Sequence, residues 1–201
     1  MSDAVLKTPE HTSPKAFTRA QLDWLPWLEP LAVDALTPRH VASLVDAARV
    51  KSPYFRLLAR DPDALEARTR TDKDIFYNPD AGLPRAEREL AAAATSRFNG
   101  CLYCATVHAR HAATYSKRED DVQRLLDAGV TAELGERWNA IVAASVALTA
   151  TPSSFGPEHV ERLRRAGLDD LAISDVIHAA AFFNWANRLM LSLGEPATTA
   201  G

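Results

Sequence analysis

Twelve prolines in a 201-residue chain would ruin most helices if they fell inside them, because each removes a backbone donor and clashes with the preceding turn. Most stand instead where a helix can begin. Thr37-Pro38, Ser52-Pro53 and Asp61-Pro62 each put a capping side chain before a ring whose fixed φ suits the first helical turn. They predict helices over 37–50, 52–60 and 61–77, the last followed by an Asn78-Pro79-Asp80-Ala81-Gly82 loop. Pro84 opens another, Pro152 lies past the end of a long helix over 131–150, and Pro157 starts a short one closed by Gly167. Capping boxes at Thr18-x-x-Gln21 and Ser116-x-x-Glu119 predict two more starts, the first interrupted by Pro26 and Pro30, the second ended by Gly129. The last helix, 174–193, is apolar almost all round, so it belongs at the centre or in a subunit interface. No segment reads as a strand. The chain is expected to be all-α, with a tail and short helix over 1–34 and one helical domain over 35–201.

Composition narrows the function. Hydrophobic residues at 47% and charged residues at 24% are ordinary for a soluble globular protein. A net charge of −3 without a basic run argues against nucleic acid. No uncharged stretch reaches the roughly 18 apolar residues of a membrane span. The N-terminal MSDAVLKTPEHTSPK lacks the apolar centre of a secretion signal, so a cytoplasmic location is expected. No glycine-rich phosphate loop occurs, and no cofactor is expected.

The chemistry concentrates in residues 84–115. Both cysteines of the chain lie there as Cys101-x-x-Cys104, with His108 four residues on and Glu89 twelve residues before the first thiol. Asn99-Gly100 reads as a helix stop, so a second helix starts near Cys101 and carries the dithiol on its first turn. Unpaired N–H groups there carry roughly half a positive charge, which favours a thiolate, the nucleophilic form. His108 is one turn from Cys104 and on its face, so it can take the thiol proton or stabilise the thiolate. At about 1.5 Å per residue, a hairpin folded at Asn99-Gly100 brings Glu89 and His108 level, letting a carboxylate orient the imidazole. Tyr103 and His111 are the candidates to flank this set, although His111 reads better as solvated or capping.

Competing readings carry less weight. Cys101, Cys104, His108 and His111 make a Cys₂His₂ set, but they stretch over roughly 15 Å of one helix and cannot converge on a single zinc ion. A structural disulfide at this spacing closes almost no loop. Elsewhere, His178 reads as a hydrogen-bonded core histidine. Arg68, Arg70, Asp72 and Lys73 read as a solvated face. Asn184, Asn187 and Arg188 read as satisfying backbone or interface partners, and the four tryptophans as packing.

The pattern Glu89-x₁₁-Cys101-x-Tyr103-Cys104-x₃-His108 resembles the signature of the alkylhydroperoxidase D (AhpD)-like, carboxymuconolactone decarboxylase superfamily, in particular its peroxidase-related branch. The run Ala181-Phe-Phe-Asn184-Trp-Ala-Asn187-Arg188, with Leu193-Gly194 beyond, is similar to that branch as well, and the resemblance covers about 35–195. It implies an AhpD-like helical fold, a homo-oligomer (trimer or hexamer) and hydroperoxide reduction. Cys104 would be the peroxidatic thiol, Cys101 the resolving one, and His108 with Glu89 a proton relay. The reductant would be a thiol or dithiol, such as a lipoyl- or thioredoxin-like adaptor. Tyr103 departs from the pattern, standing where the best-studied members carry a second histidine. Two other functions fit the residues: carboxymuconolactone decarboxylase-like chemistry without redox, and a non-enzymatic dithiol sensor in an oligomeric module.

Overall fold

In the computed structural model, which describes residues 5–8 and 10–198, helices dominate. The order is β1 (Leu22–Pro26), α1 (Pro38–Ser43), α2 (Pro53–Leu58), α3 (Pro62–Tyr77), α4 (Arg85–Phe98), α5 (Leu102–Ser116), α6 (Glu119–Ala128), α7 (Glu136–Thr149), α8 (Pro157–Arg165), α9 (Asp170–Leu193) and β2 (Gly194–Thr198). The proline starts hold. Pro38, Pro53, Pro62 and Pro157 each open a helix, and Asp61 caps α3 by accepting from the Ala64 N–H at 3.1 Å.

The architecture is built around α4. Every residue from Glu87 to Ser96 is buried, and α5, α7 and α9 pack against it. Ala91 to Ala94 are fully enclosed. Small side chains there let neighbouring backbones approach from several sides, and Leu90, Ile141, Val176 and Ala179 fill the space between. The last helix, α9, takes the central of its two expected positions. It buries Val176, Ala180, Phe183 and Met190 while leaving Leu171, Trp185 and Leu191 exposed. Trp185 keeps only part of the packing role expected of all four tryptophans, lying edge-on to Phe182 at 5.8 Å. His178 is also exposed on α9, rather than a core histidine.

Five boundaries differ from the sequence reading, each for a local reason. Residues 18–26 do not form a helix. The Thr18 hydroxyl accepts only the nearby Ala20 N–H, and Leu22 and Trp24 then alternate inward around exposed Asp23. β1 pairs antiparallel with β2, Leu22 opposite Thr198 and Pro26 opposite Gly194. Gly194 is required at this crossing because a Cβ would collide with the Leu25 carbonyl and the Trp24 ring. The helix expected over 37–50 stops at Ser43. Val45 takes a left-handed φ of 61°, and Asp46 caps a separate turn over Ala47–Lys51. Residues 131–135 stay outside α7 because Asn139 reaches back to the Leu134 N–H (2.9 Å) and the Glu133 carboxylate (2.8 Å). Ser116 ends α5 instead of boxing the start of α6, donating to the Ala112 carbonyl and accepting from the Arg118 N–H. Finally, α9 starts four residues early, where Asp169 caps Ala172. Among the described residues, no helix is long and apolar enough to cross a membrane.

Candidate active site

The α4–α5 connection determines where the dithiol sits. Asn99 is the C-cap of α4 and Gly100 takes φ 77°, a conformation that costs a glycine little. The Cys101 N–H then returns to the Ser96 carbonyl (2.9 Å) and the Gly100 N–H to the Arg97 carbonyl (3.4 Å), closing a Schellman motif. The Cys101 carbonyl in turn accepts from the Ala105 N–H, which makes the same residue the N-cap of α5. Cys101 is thus held by two helices at once. Cys104 follows in the first turn of α5.

Both cysteines are free thiols and both are buried, Cys101 at 1% and Cys104 at 5% exposure. Their environments differ. The Cys104 thiol donates to the Cys101 sulfur, and the Cys104 backbone N–H and the Asn187 side chain add to that. Together they hold Cys101 below the ordinary thiol range against the cost of burial. The same hydrogen bond pushes Cys104 well above that range, with burial adding to it. Cys101 is therefore the more readily ionised of the two thiols. Access favours the other thiol: Cys104 lines a cavity of about 240 Å³ that Cys101 does not reach.

His108 and Glu89, separated in sequence, meet across the hairpin. Nδ1 of the imidazole lies 2.6 Å from Glu89 Oε2, and Arg85 donates to the other carboxylate oxygen at 3.2 Å. A carboxylate only accepts, so Nδ1 carries the proton and Nε2 is left as the basic nitrogen. The ring packs against Phe183 and Phe76, with centroids 4.0 and 5.1 Å away, which confines its orientation. Glu89 and His108 line the same cavity as Cys104. Such a set can move a proton between a thiol and a ligand in the cavity.

Tyr103 and His111 also line the cavity. Burial raises the Tyr103 hydroxyl pKa, with Cys104 adding to it, and burial lowers that of His111. His111 is half-buried and stacks on Tyr115 at 6.1 Å, so the solvated or capping role does not hold. Arg68 and Asp72 leave their expected solvated face as well. Arg68 is 8% exposed, and both residues line the cavity. Among the described residues, no three His, Cys, Asp or Glu side chains gather as metal ligands would.

Asn187 does more than satisfy its neighbours, because it also reaches the thiols. It is fully buried, donates to Ser96 Oγ (3.0 Å), accepts from Asn99 Nδ2 (3.1 Å) and lowers the pKa of both cysteines by hydrogen bonding. The signal was available, since an amide inside an apolar helix has to find a partner. Removing this donor raises the pKa of a thiol that it helps to ionise. Asn187→Leu is accordingly expected to move the ultraviolet thiolate titration of the reduced protein to higher pH. An unchanged titration would mean that Asn187 only packs.

Residues 62–147 match the Carboxymuconolactone decarboxylase family. No curated protein matches the sequence. Among solved structures, the chain is similar to an alkylhydroperoxidase AhpD core, an uncharacterized peroxidase-related protein from Ralstonia eutropha JMP134 (23% identity, 86% of this chain and 92% of that one, TM-score 0.72). A second similar structure is an uncharacterized peroxidase-related protein from Silicibacter sp. TM1040 (22% identity, 84% and 91%, TM-score 0.66). A third is the debrominase Bmp8, solved as a cysteine-to-alanine variant with 2,3,4-tribromopyrrole (20% identity, 82% and 87%, TM-score 0.63). The structural likenesses establish a shared fold, and the family match spans α3 through most of α7, including the whole dithiol hairpin. On these grounds the chain has an AhpD-like helical fold, and the stretch that carries its dithiol matches the Carboxymuconolactone decarboxylase family.

Proposed function

We propose that the protein is a thiol-dependent peroxidase that reduces organic hydroperoxides through Cys104 and Cys101. The observation that carries this reading is the asymmetry of the dithiol. One thiol opens into a cavity that also holds the His108–Glu89 pair, and the other lies behind it within hydrogen-bond reach. His108 Nε2 takes the Cys104 proton, and the thiolate attacks the terminal oxygen of ROOH. The S–O bond forms as the O–O bond breaks, two electrons pass from sulfur to the peroxide, and the imidazolium returns its proton to the alkoxide as ROH. Cys101 then attacks the Cys104 sulfenic acid, forming the disulfide and releasing hydroxide, which leaves as water after taking up a proton. A lipoyl- or thioredoxin-like dithiol supplies the two electrons that restore the thiols.

Decarboxylase-like chemistry would need the His108–Glu89 pair but would have no use for the dithiol, and the presence of Cys104 in the cavity weighs against it. The test is catalytic turnover. With dihydrolipoamide as donor, the protein is expected to consume an organic hydroperoxide at many equivalents per subunit. No consumption with dihydrolipoamide, dithiothreitol or a thioredoxin system would overturn the reading.

A further inference from the structure

The cavity beside Cys104 has a second chemical character that thiol chemistry does not use. Arg49, Arg68, Asp72 and Tyr54 line it together with the dithiol face. Arg68 Nη1 is 3.6 Å from Asp72 Oδ2, beyond hydrogen-bond length, and Nε and Nη1 are both buried without a hydrogen-bond partner. Arg49 Nη2 is 3.4 Å from the same carboxylate oxygen, and its Nη1 is likewise buried and unpartnered. Two guanidiniums thus share one carboxylate. Tyr54, only 5% exposed, adds its hydroxyl as a fourth buried donor without an acceptor. Leaving the histidines aside, the lining carries three arginines (Arg49, Arg68, Arg85) against two carboxylates (Asp72, Glu89), an excess of one positive charge.

Buried donors without acceptors are costly, and more so when charged, so proteins rarely keep several together without a use. Packing holds these ones in place. Both guanidiniums lie over the Phe55 ring, at 4.6 and 5.5 Å, and Arg68 lies over Phe182 as well. Their donors therefore cannot swing out to solvent without giving up those contacts. The rest of the lining includes Phe55, Phe76, Phe183 and Met190, which suits a hydrocarbon body. At about 240 Å³ the space falls below the roughly 300–1,000 Å³ typical of sites for drug-sized ligands, which limits the ligand to a small one.

We propose that Arg68 and Arg49, with the Tyr54 hydroxyl, form an anion subsite in this cavity, and that its ligand is a small apolar carboxylate whose far end lies against Cys104 Sγ. A guanidinium fork matches a carboxylate in two parallel hydrogen bonds, which gives direction as well as affinity. A neutral alkyl hydroperoxide would leave the excess charge unbalanced. The claim that such a carboxylate is a substrate, as a hydroperoxide, rests on the peroxidase reading. The claim that the anion binds does not.

Two measurements on the full chain separate these claims. Calorimetric titration of the reduced protein compares 4-isopropylbenzoate with its methyl ester. The acid is expected to bind at least about tenfold more tightly, the size of one or two charge-assisted hydrogen bonds. Arg68→Met should remove most of that preference, and Arg68→Lys, which keeps the charge without the fork, should retain part of it. Equal binding of acid and ester by the unmodified protein overturns the subsite, and this arm needs no variant to fold. A preference that survives in both Arg68→Met and Arg49→Met also overturns it. The second measurement compares the tertiary hydroperoxides of the same acid and ester, and the carboxylate is expected to oxidise the thiols faster. Acid preference with no thiol oxidation by either hydroperoxide would sink the peroxidase reading and leave the subsite standing. Equal oxidation rates without acid preference would do the reverse.

Discussion

Cys104→Ser is expected to abolish thiol oxidation by organic hydroperoxide, whereas Cys101→Ser reacts once and stops at a sulfenic acid that a dimedone-type probe traps. The asymmetry follows from access. Cys104 lines the cavity and Cys101 does not, so peroxide meets Cys104 first even though Cys101 is the more readily ionised. Cys101→Ser also replaces the ionisable sulfur, whose hydrogen bond is the largest contribution raising the Cys104 pKa, with a neutral hydroxyl that can donate to a Cys104 thiolate. The thiolate fraction of Cys104 at a given pH then rises, so the single turnover of Cys101→Ser begins at lower pH than in the unmodified protein. A trapped sulfenic acid in Cys104→Ser, with none in Cys101→Ser, would reverse the roles.

His108→Gln and Glu89→Gln are expected to slow that first step by roughly 10²–10⁴-fold, the usual contribution of a positioned acid–base group. Cys104 starts as a thiol with a raised pKa, so something must take its proton before attack. Without the imidazole, the rate depends on the small fraction of thiolate present in solution equilibrium. That fraction grows with pH, so the rate–pH profile should shift upward. Glu89→Gln should act through His108, because an amide can present either an acceptor or a donor to Nδ1 and no longer fixes which nitrogen is basic. Arg85, stacked on Tyr77 and Tyr115 at 4.1 and 4.3 Å, keeps its place when the Glu89 charge is lost. Urea unfolding of both variants separates slow chemistry from lost structure. Wild-type rates and profiles in properly folded variants would remove the relay from the mechanism.

Legibility in the sequence followed the range of the interactions. The hairpin motif could be read because its geometry is local: Cys104 to His108 is one helical turn, and Glu89 meets His108 by counting residues on either side of Asn99-Gly100. The proline-marked starts of α1, α2, α3 and α8 were legible for the same reason. The β1–β2 ribbon was not, since the partner of Trp24 is Pro196 at the opposite end of the chain. Three alternating residues, Leu22, Asp23 and Trp24, are too few to declare a strand. Arg68 looks solvated in the sequence because its neighbours Arg70, Asp72 and Lys73 are charged. Its burial is decided by Phe55 and by Phe182, which arrive from α2 and α9. Asn187 could be recognised as a buried amide, but its place beside the thiols depends on how α9 crosses α4 and the start of α5.

The central claim is that Cys104 and Cys101 act as one redox pair, and one measurement tests it directly. The reduced protein is treated with a single equivalent of organic hydroperoxide, alkylated, digested without reduction, and analysed by mass spectrometry. The expected result is an intramolecular Cys101–Cys104 disulfide within one peptide, formed in proportion to the peroxide added. Two alkylated free thiols, with the peroxide left unconsumed, would contradict the account.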